Sequence, residues 1–347
     1  MTPEFWHRLL AAELSPTKCR DVLKTLGTSL SDPIEAVLAS PILSDVEKAR
    51  IRGVESGPFH DLLKRGMKVV EPDDYPEALR QAKLIPPALF VWGDWSALSR
   101  PCVAIVGTRN ATTYGKACAL KFAEALAENG VTVVSGGALG IDGAAHRGAL
   151  EVGGKTAAVL ITGLDRTYPR EHAGLFQRIR DEGGCLISQF AVGTDTAREF
   201  RPLIRNQVVA ALSHAIVVIE APSQSGALNT AHAGNDLGRP VFVVPANVDN
   251  VNFRGSHALI RDGATLVDHP YQVLQAMGIE PTTTQKPTAE ISGAQKKILE
   301  ALSEKPLPSE MIVERTGLPT SDVLSELTML ELEGIVIRDA GLFAIRP

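Results

Sequence analysis

The chain has 347 residues, of which 44% are hydrophobic and 22% are charged, and its formal net charge is −5. This length accommodates two or three domains of ordinary globular composition, and the acidic balance excludes a globally basic protein, so any DNA site must be a local patch. The four cysteines form no C-x-x-C pair, so no disulfide framework, metal site or cofactor is expected. No apolar run reaches the length of a membrane span, about 18 residues, and no signal pattern opens the chain, which predicts a cytoplasmic protein without a membrane span.

Short helices are predicted for the first part of the chain. Apolar residues recur at helical spacing near residues 5–10 and 22–26, and prolines and glycines punctuate them. We expect a small helical domain over residues 1–65. The main domain is expected over residues 66–280. In the segment that leads into its central sheet, a strand is predicted at residues 88–92.

Strands and helices alternate through the centre of the chain. Continuous apolar runs at Cys102–Val106 and at residues 131–134 each lead into a glycine-rich loop and then a helical pattern. Such alternation predicts an α/β fold with a doubly wound parallel sheet and right-handed crossovers, although the sequence does not fix the strand order. Further strands are predicted at 156–161, 185–187, 215–220 and 240–244, helices at 114–129, Ala173–Asp181, 202–212 and 226–237, and a last segment at 258–267.

The C-terminal region has the layout of a winged-helix domain, predicted over residues 291–347. Residues 281–290 lack apolar periodicity and are predicted to be a linker. Three helical patterns and two short strands follow, at 294–302, Ser309–Thr316, 321–333, 336–338 and Leu342–Ile345. The third helix has four acidic residues and no Lys or Arg, which favours a protein-contact or dimerisation role over the reading of duplex DNA.

Two loops suggest a surface that handles phosphate. Gly107-Thr108-Arg109 and Ser135-Gly136-Gly137 follow predicted strands directly, and helix N-termini beside such loops favour anions. The first loop lacks the second glycine of a dinucleotide fingerprint. Gly154-Lys155-Thr156 precedes a strand rather than opening a helix, so it is not a P-loop. Arg109, two residues beyond Gly107, indicates a contact with an external phosphate.

The order of these motifs resembles the DNA-processing protein A (DprA/Smf) family, over roughly residues 65 to 268. The resemblance implies an extended Rossmann-like domain in which residues 68–92 extend the central sheet, an N-terminal helical domain similar to SAM or helix-hairpin-helix modules, and a C-terminal winged-helix module. The motifs that carry it include Val106-Gly107-Thr108-Arg109, Ser135-Gly136, Gly140-Ile141-Asp142, Gly163-Leu164-Asp165, Tyr168-Pro169, Arg205-Asn206 and Ser225-Gly226.

By this resemblance we expect a non-enzymatic recombination mediator that binds single-stranded DNA. It would protect incoming DNA in natural transformation, work as a homodimer, and load the RecA recombinase onto strands covered by single-strand-binding protein. Arg170 occupies a position that is usually basic in the family. The candidate DNA-contacting residues are Gly107, Thr108, Arg109, Ser135, Gly136, Arg170, Arg205, Asn206, Ser225 and Gly226.

Several alternatives stay open at this point. Arg205 could join Arg198 and Arg201 in a basic helix face or could bond within the domain, and Ser225 could face an anion or simply cap a helix. Asp142 and His146 are expected to be structural, Asp142 as a cap of the following helix and His146 bonding across the crevice.

Two departures from the family weaken the expected patch. Leu139 and Gln207 stand where the family has cations, which predicts the same ligand class with lower affinity. A rival interpretation is a nucleotide-processing enzyme similar to the phosphoribohydrolases on the same fold, but residues 221–230 lack their catalytic glutamate. A third is a protein adaptor that has lost DNA binding.

Overall fold

The computed structural model describes residues 1–26, 32–82, 85–195, 200–281, 292–303, 305–332, 335–339 and 341–345. The chain forms two compact units, Met1–Thr282 and Thr283–Pro347. The predicted linker lies outside the described residues apart from its first position, and so do Arg198 and Glu333.

Short helices open the first unit, and most begin at a capping side chain followed by proline. Thr2, Ser15 and Asp32 each accept a hydrogen bond from a backbone N–H of the helix that follows, which satisfies a donor that the first turn leaves free. Phe59, in the last of these helices, packs with Phe90 in the sheet core, so that helix lies directly on the sheet. The helices are α1 (Pro3–Ala11), α2 (Pro16–Lys24), α3 (Pro33–Ala39), α4 (Asp45–Gly53) and α5 (Gly57–Lys64).

The sheet of the first unit confirms the predicted doubly wound fold. Its strands lie in the order β1-β2-β6-β5-β4-β3-β7-β8-β9, and all neighbours from β6 to β9 are parallel. β2 pairs antiparallel with β6 and with β1, so the segment before the alternating region extends the sheet at one edge. The strands are β1 (Met67–Val70), β2 (Leu89–Gly93), β3 (Cys102–Val106), β4 (Thr132–Ser135), β5 (Thr156–Val159), β6 (Cys185–Ser188), β7 (Ala215–Val218), β8 (Val241–Val243) and β9 (Thr265–Leu266).

Helices cover both faces of this sheet. Alternate β3 residues belong to different cores, with Ala104 packed on one face and Ile105 on the other, which explains why the strand is apolar throughout. The predicted strand at 156–161 ends at Val159, and the predicted segment at 258–267 is a helix followed by β9. The helices are α6 (Glu77–Arg80), α7 (Thr113–Glu128), α8 (Ile141–Glu151), α9 (Ala173–Asp181), α10 (Arg201–Ala211), α11 (Gly226–Asp236), α12 (Arg254–Arg261) and α13 (Pro270–Ala276).

The second unit is a winged helix, as predicted. Its helices enclose an apolar core that includes Ile298, Ile312, Leu327 and Phe343. The strands pair antiparallel in the order β10-β12-β11, so a short strand before the second helix joins the two predicted ones. The elements are α14 (Gly293–Leu302), β10 (Leu307–Pro308), α15 (Ser309–Thr316), α16 (Thr320–Leu332), β11 (Val336–Asp339) and β12 (Leu342–Ile345).

Candidate nucleic-acid interface

A crevice of about 260 Å³ opens at the carboxyl edge of the parallel strands. It lies beside β3, which has β4 on one side and β7 on the other, so the strand order reverses at β3. Ligands of open α/β sheets bind at such a switch point. Most of the predicted contact residues line it, namely Gly107, Thr108, Arg109, Gly136, Arg205, Asn206, Ser225 and Gly226.

The loop after β3 presents Arg109 on a fixed backbone. The Thr108 N–H donates to the carbonyl oxygen of Glu220 at 2.7 Å, and the Thr108 carbonyl accepts from Ile141 N at 3.2 Å. A Cβ atom at Gly107 would lie 2.5 Å from Ile141 Cγ1, so this close approach requires glycine. The Arg109 side chain is exposed and lines the crevice, where its guanidinium can meet a ligand.

Asp142 shapes the second loop instead of capping its own helix. Its carboxylate accepts from Gly136 N at 3.1 Å and from Ala138 N at 3.3 Å. Burial raises the pKa of Asp142, while Arg205 acts in the opposite direction. The expected cap of the following helix is therefore wrong, because the carboxylate reaches back to the loop that precedes α8.

Of the two alternatives left open for Arg205, the described residues support bonding within the domain and not a basic face on α10. Arg205 is only 6% exposed, and it donates to the carbonyl oxygens of Gly136 and Val159. Burial lowers the pKa of Arg205, and the nearby charge of Arg109 acts in the same direction. Arg201 is likewise buried, in an ion pair with Glu13. Both guanidiniums are used inside the protein.

The remaining candidate residues differ in whether they face the crevice, the protein interior or the surface outside the crevice. The Ser135 hydroxyl donates to the Ile105 carbonyl at 2.6 Å in the core, so it does not face the crevice. Arg170 is exposed in a short 3-10 turn outside the crevice lining. Ser225 caps α11 by accepting from Ala227 N at 3.2 Å, which is the ordinary role left open for it. Asn206 braces this helix start by donating to the Gly226 carbonyl at 3.0 Å.

His146 lies in the core and not across the crevice, so its expected position is wrong. Its Nδ1 is 2.7 Å from the Thr156 hydroxyl, which donates to the Val133 carbonyl. Because that hydroxyl uses its proton on Val133, His146 Nδ1 must be the donor. Burial lowers the pKa of His146 to about 3, so its role is structural.

Sequence reasoning missed Glu220, the residue that holds two loops of this edge together. Its side chain is fully buried and accepts hydrogen bonds from Thr112 and Asn252. The sequence feature that could have indicated its role is the position of an acidic residue directly after the apolar run of β7. Within the described ranges, no group of three or more His, Cys, Asp or Glu side chains is placed to hold a metal ion, and no helix is long and apolar enough to cross a membrane.

Comparisons with known proteins agree with this architecture. The sequence model of the family described as DNA recombination-mediator protein A matches residues 67–278, and that of the DprA winged helix domain matches residues 281–341. The chain therefore belongs to the DNA recombination-mediator protein A family, also called DprA/Smf. This membership gives it a role in DNA processing and recombination.

Individual relatives cover most of the chain. Protein Smf of Escherichia coli is 35% identical over 276 residues, which span 77% of this chain and 74% of that protein. The X-ray structure of DprA from Streptococcus pneumoniae matches with a TM-score of 0.67 and 30% identity, over 79% of this chain and 98% of that one. DprA from Helicobacter pylori, whose structure describes its single-stranded DNA binding mode, matches with a TM-score of 0.56 and 29% identity, over 61% and 95% of the two chains.

Proposed function

We propose that this protein binds single-stranded DNA in the crevice at the carboxyl edge of its sheet. The observation that carries the proposal is the exposed guanidinium of Arg109 on a loop whose backbone is fixed at Thr108, at the switch point of the sheet. The similar Helicobacter pylori protein binds single-stranded DNA. A guanidinium matches the geometry of phosphate oxygens, so the contact would be made to the DNA backbone.

The surroundings of Arg109 suit the binding of a nucleic acid independently of its base sequence. Asn110, Gln224 and Ser225 add neutral polar groups to the crevice wall. The buried Arg205 interacts with Asp142 inside the protein. Among the described residues of the lining, Arg109 is the exposed cation. A site built in this way binds through phosphate, and its affinity falls as the salt concentration rises.

The wider role that we propose is that of a non-enzymatic recombination mediator. Family membership supports protection of incoming DNA in natural transformation and the loading of RecA onto strands covered by single-strand-binding protein. We also propose that the protein acts in the cytoplasm as a homodimer.

Fluorescence anisotropy with a labelled oligo-dT strand tests the DNA-binding proposal. Arg109→Ala should lower the affinity about tenfold or more, because a charge-assisted contact is lost. Arg100→Ala is the matched control, since Arg100 is exposed before the first residue of β3, at the opposite end of the same strand. Equal losses in both variants would place the binding surface elsewhere.

A RecA assay tests the mediator role separately. On an oligo-dT strand coated with single-strand-binding protein, the wild-type chain should shorten the lag before RecA begins ATP hydrolysis, and Arg109→Ala should shorten it less. Normal DNA binding without any effect on the lag would contradict RecA loading while leaving the DNA site intact.

A further inference from the structure

The amino end of α7 already holds an anion that belongs to the protein. This helix follows the loop after β3, the place where a parallel α/β sheet commonly receives a ligand phosphate. Here the carboxylate of Glu220 occupies that place. It accepts from Thr112 N at 3.0 Å and from the Thr112 hydroxyl at 2.8 Å, and Thr112 is the N-cap of α7.

The carboxylate is enclosed by neutral donors. Glu220 is 0% exposed, and Asn252 Nδ2 donates to its Oε1 at 2.9 Å. Among the described residues, no Lys, Arg or His forms an ion pair with it. The favourable field of the helix N-terminus and these hydrogen bonds therefore stabilise the buried charge.

The start of α7 is shaped to admit this side chain. A Cβ atom at Gly115 would lie 2.0 Å from Glu220 Oε2. Only glycine at this position leaves room for the carboxylate, so the helix and the acidic residue are matched to each other. A ligand phosphate at the same helix end would meet both an occupied space and a like charge.

Glu220 also holds both ends of the loop that carries Arg109. Its backbone carbonyl accepts from Thr108 N at 2.7 Å, and its carboxylate accepts from Thr112. Arg109 lies between these two points of attachment. A single residue therefore fixes the loop backbone on either side of the exposed guanidinium.

We propose that Glu220 is a positioning residue that takes the phosphate place at the start of α7 and thereby directs Arg109 toward the phosphate of a nucleic acid in the crevice. The inference rests on the proposed DNA-binding function. It also predicts that free nucleotides do not bind at the α7 terminus, because the protein supplies its own anion there.

A double-mutant cycle tests this role. Glu220→Ala, Arg109→Ala and the double variant are compared with the wild type for oligo-dT affinity. If Glu220 acts through Arg109, each single substitution lowers the affinity about tenfold, and the double variant is no weaker than the weaker single variant by more than about twofold. Losses that multiply would overturn the inference, whereas wild-type protein that does not bind oligo-dT would overturn the proposed function instead.

Chemical rescue separates positioning from general damage. Formate has the size of the deleted carboxylate, so it should restore most of the oligo-dT affinity to Glu220→Ala when compared with chloride at equal ionic strength. It should not rescue Arg109→Ala, and failure to rescue a folded Glu220→Ala protein would count against the proposal. If Glu220→Ala does not fold, the cycle is run with Glu220→Gln, which keeps the volume but gives Thr112 or Asn252 an opposing donor, and multiplying losses there would again overturn the inference.

Discussion

At the scale of single residues, Leu139 stands where the family resemblance leads us to expect a cation. Leu139 is 40% exposed on the loop whose neighbouring residues Gly136 and Ala138 line the crevice. We predict that Leu139→Lys tightens oligo-dT binding and steepens its dependence on the logarithm of salt concentration by about 0.7, the value for one added contact to a single strand. Anisotropy titrations over a salt series measure both effects. An unchanged slope would show that this loop does not lie along the DNA.

Gln207 offers a second comparison at this scale. It is exposed on α10, two residues after Arg205, at the position where the family resemblance leads us to expect a cation. Arg205 itself is buried, so a cation at position 207 would be the exposed charge of this helix. The lower affinity that we expect thus depends on surface positions and not on the buried interaction between Asp142 and Arg205.

His146 predicts how stability depends on pH. Its pKa is lowered to about 3 by burial, whereas an unfolded histidine titrates near 6.5. Below pH 6.5 the unfolded chain binds this proton and the native chain does not. As the pH is lowered, the free energy of unfolding should therefore fall by up to about 1.4 kcal/mol per pH unit. His172 and His214 also have lowered pKa values and act in the same direction, while the raised pKa of Asp142 opposes them.

Urea unfolding between pH 7.5 and 5 measures this slope. His146→Asn removes the titrating group, so it should flatten the pH dependence relative to wild type even though it lowers stability at neutral pH. A slope that is the same in both proteins would contradict the assignment to His146.

At the scale of secondary-structure elements, two helix glycines, Gly115 in α7 and Gly174 in α9, are predicted to respond in opposite ways to substitution by alanine. Gly115→Ala places a Cβ against Glu220 and should destabilise the protein by about 1–3 kcal/mol. Gly174 lies in α9, and a Cβ atom added there would have open space within 4 Å. Gly174→Ala should therefore stabilise by about 0.5–1 kcal/mol, because alanine is the better helix former. Thermal unfolding of both variants checks the opposite signs.

The elements also show what sequence can predict and what it cannot. β3 and α9 have the predicted bounds because a strand buried on both faces is apolar throughout, and an amphipathic helix repeats its pattern locally. The sequence could not decide whether Arg205 is buried, since its partners are Gly136 in the loop after β4 and Val159 in β5, both far from it along the chain. The role of Glu220 depends on Thr112, which lies 108 positions earlier. Local periodicity carries no information about such pairings.

At the scale of the whole molecule, the crevice belongs entirely to the first unit. All of its lining residues lie within Met1–Thr282. We predict that residues 1–282 fold alone and bind oligo-dT with the affinity of the full chain. Circular dichroism and anisotropy of the shortened protein test this. A large loss of affinity in a folded fragment would assign part of the DNA site to the winged helix.

The winged helix has a surface that suits protein contact better than DNA. On α16, Asp322, Leu324 and Met329 are exposed, and the helix contains no Lys or Arg. Affinity for the DNA backbone comes mainly from Lys and Arg, and acidic side chains repel phosphate. We therefore retain the prediction that this unit contacts protein.

The salt dependence of DNA binding tests the central claim most directly. Oligo-dT affinity is measured over a salt series for the wild type, Arg109→Ala and Arg100→Ala. We predict that Arg109→Ala reduces the slope of log affinity against log salt concentration by about 0.7 and that Arg100→Ala leaves it unchanged. Equal slopes for the wild type and Arg109→Ala, with DNA still bound, would show that the phosphate contacts lie outside this crevice.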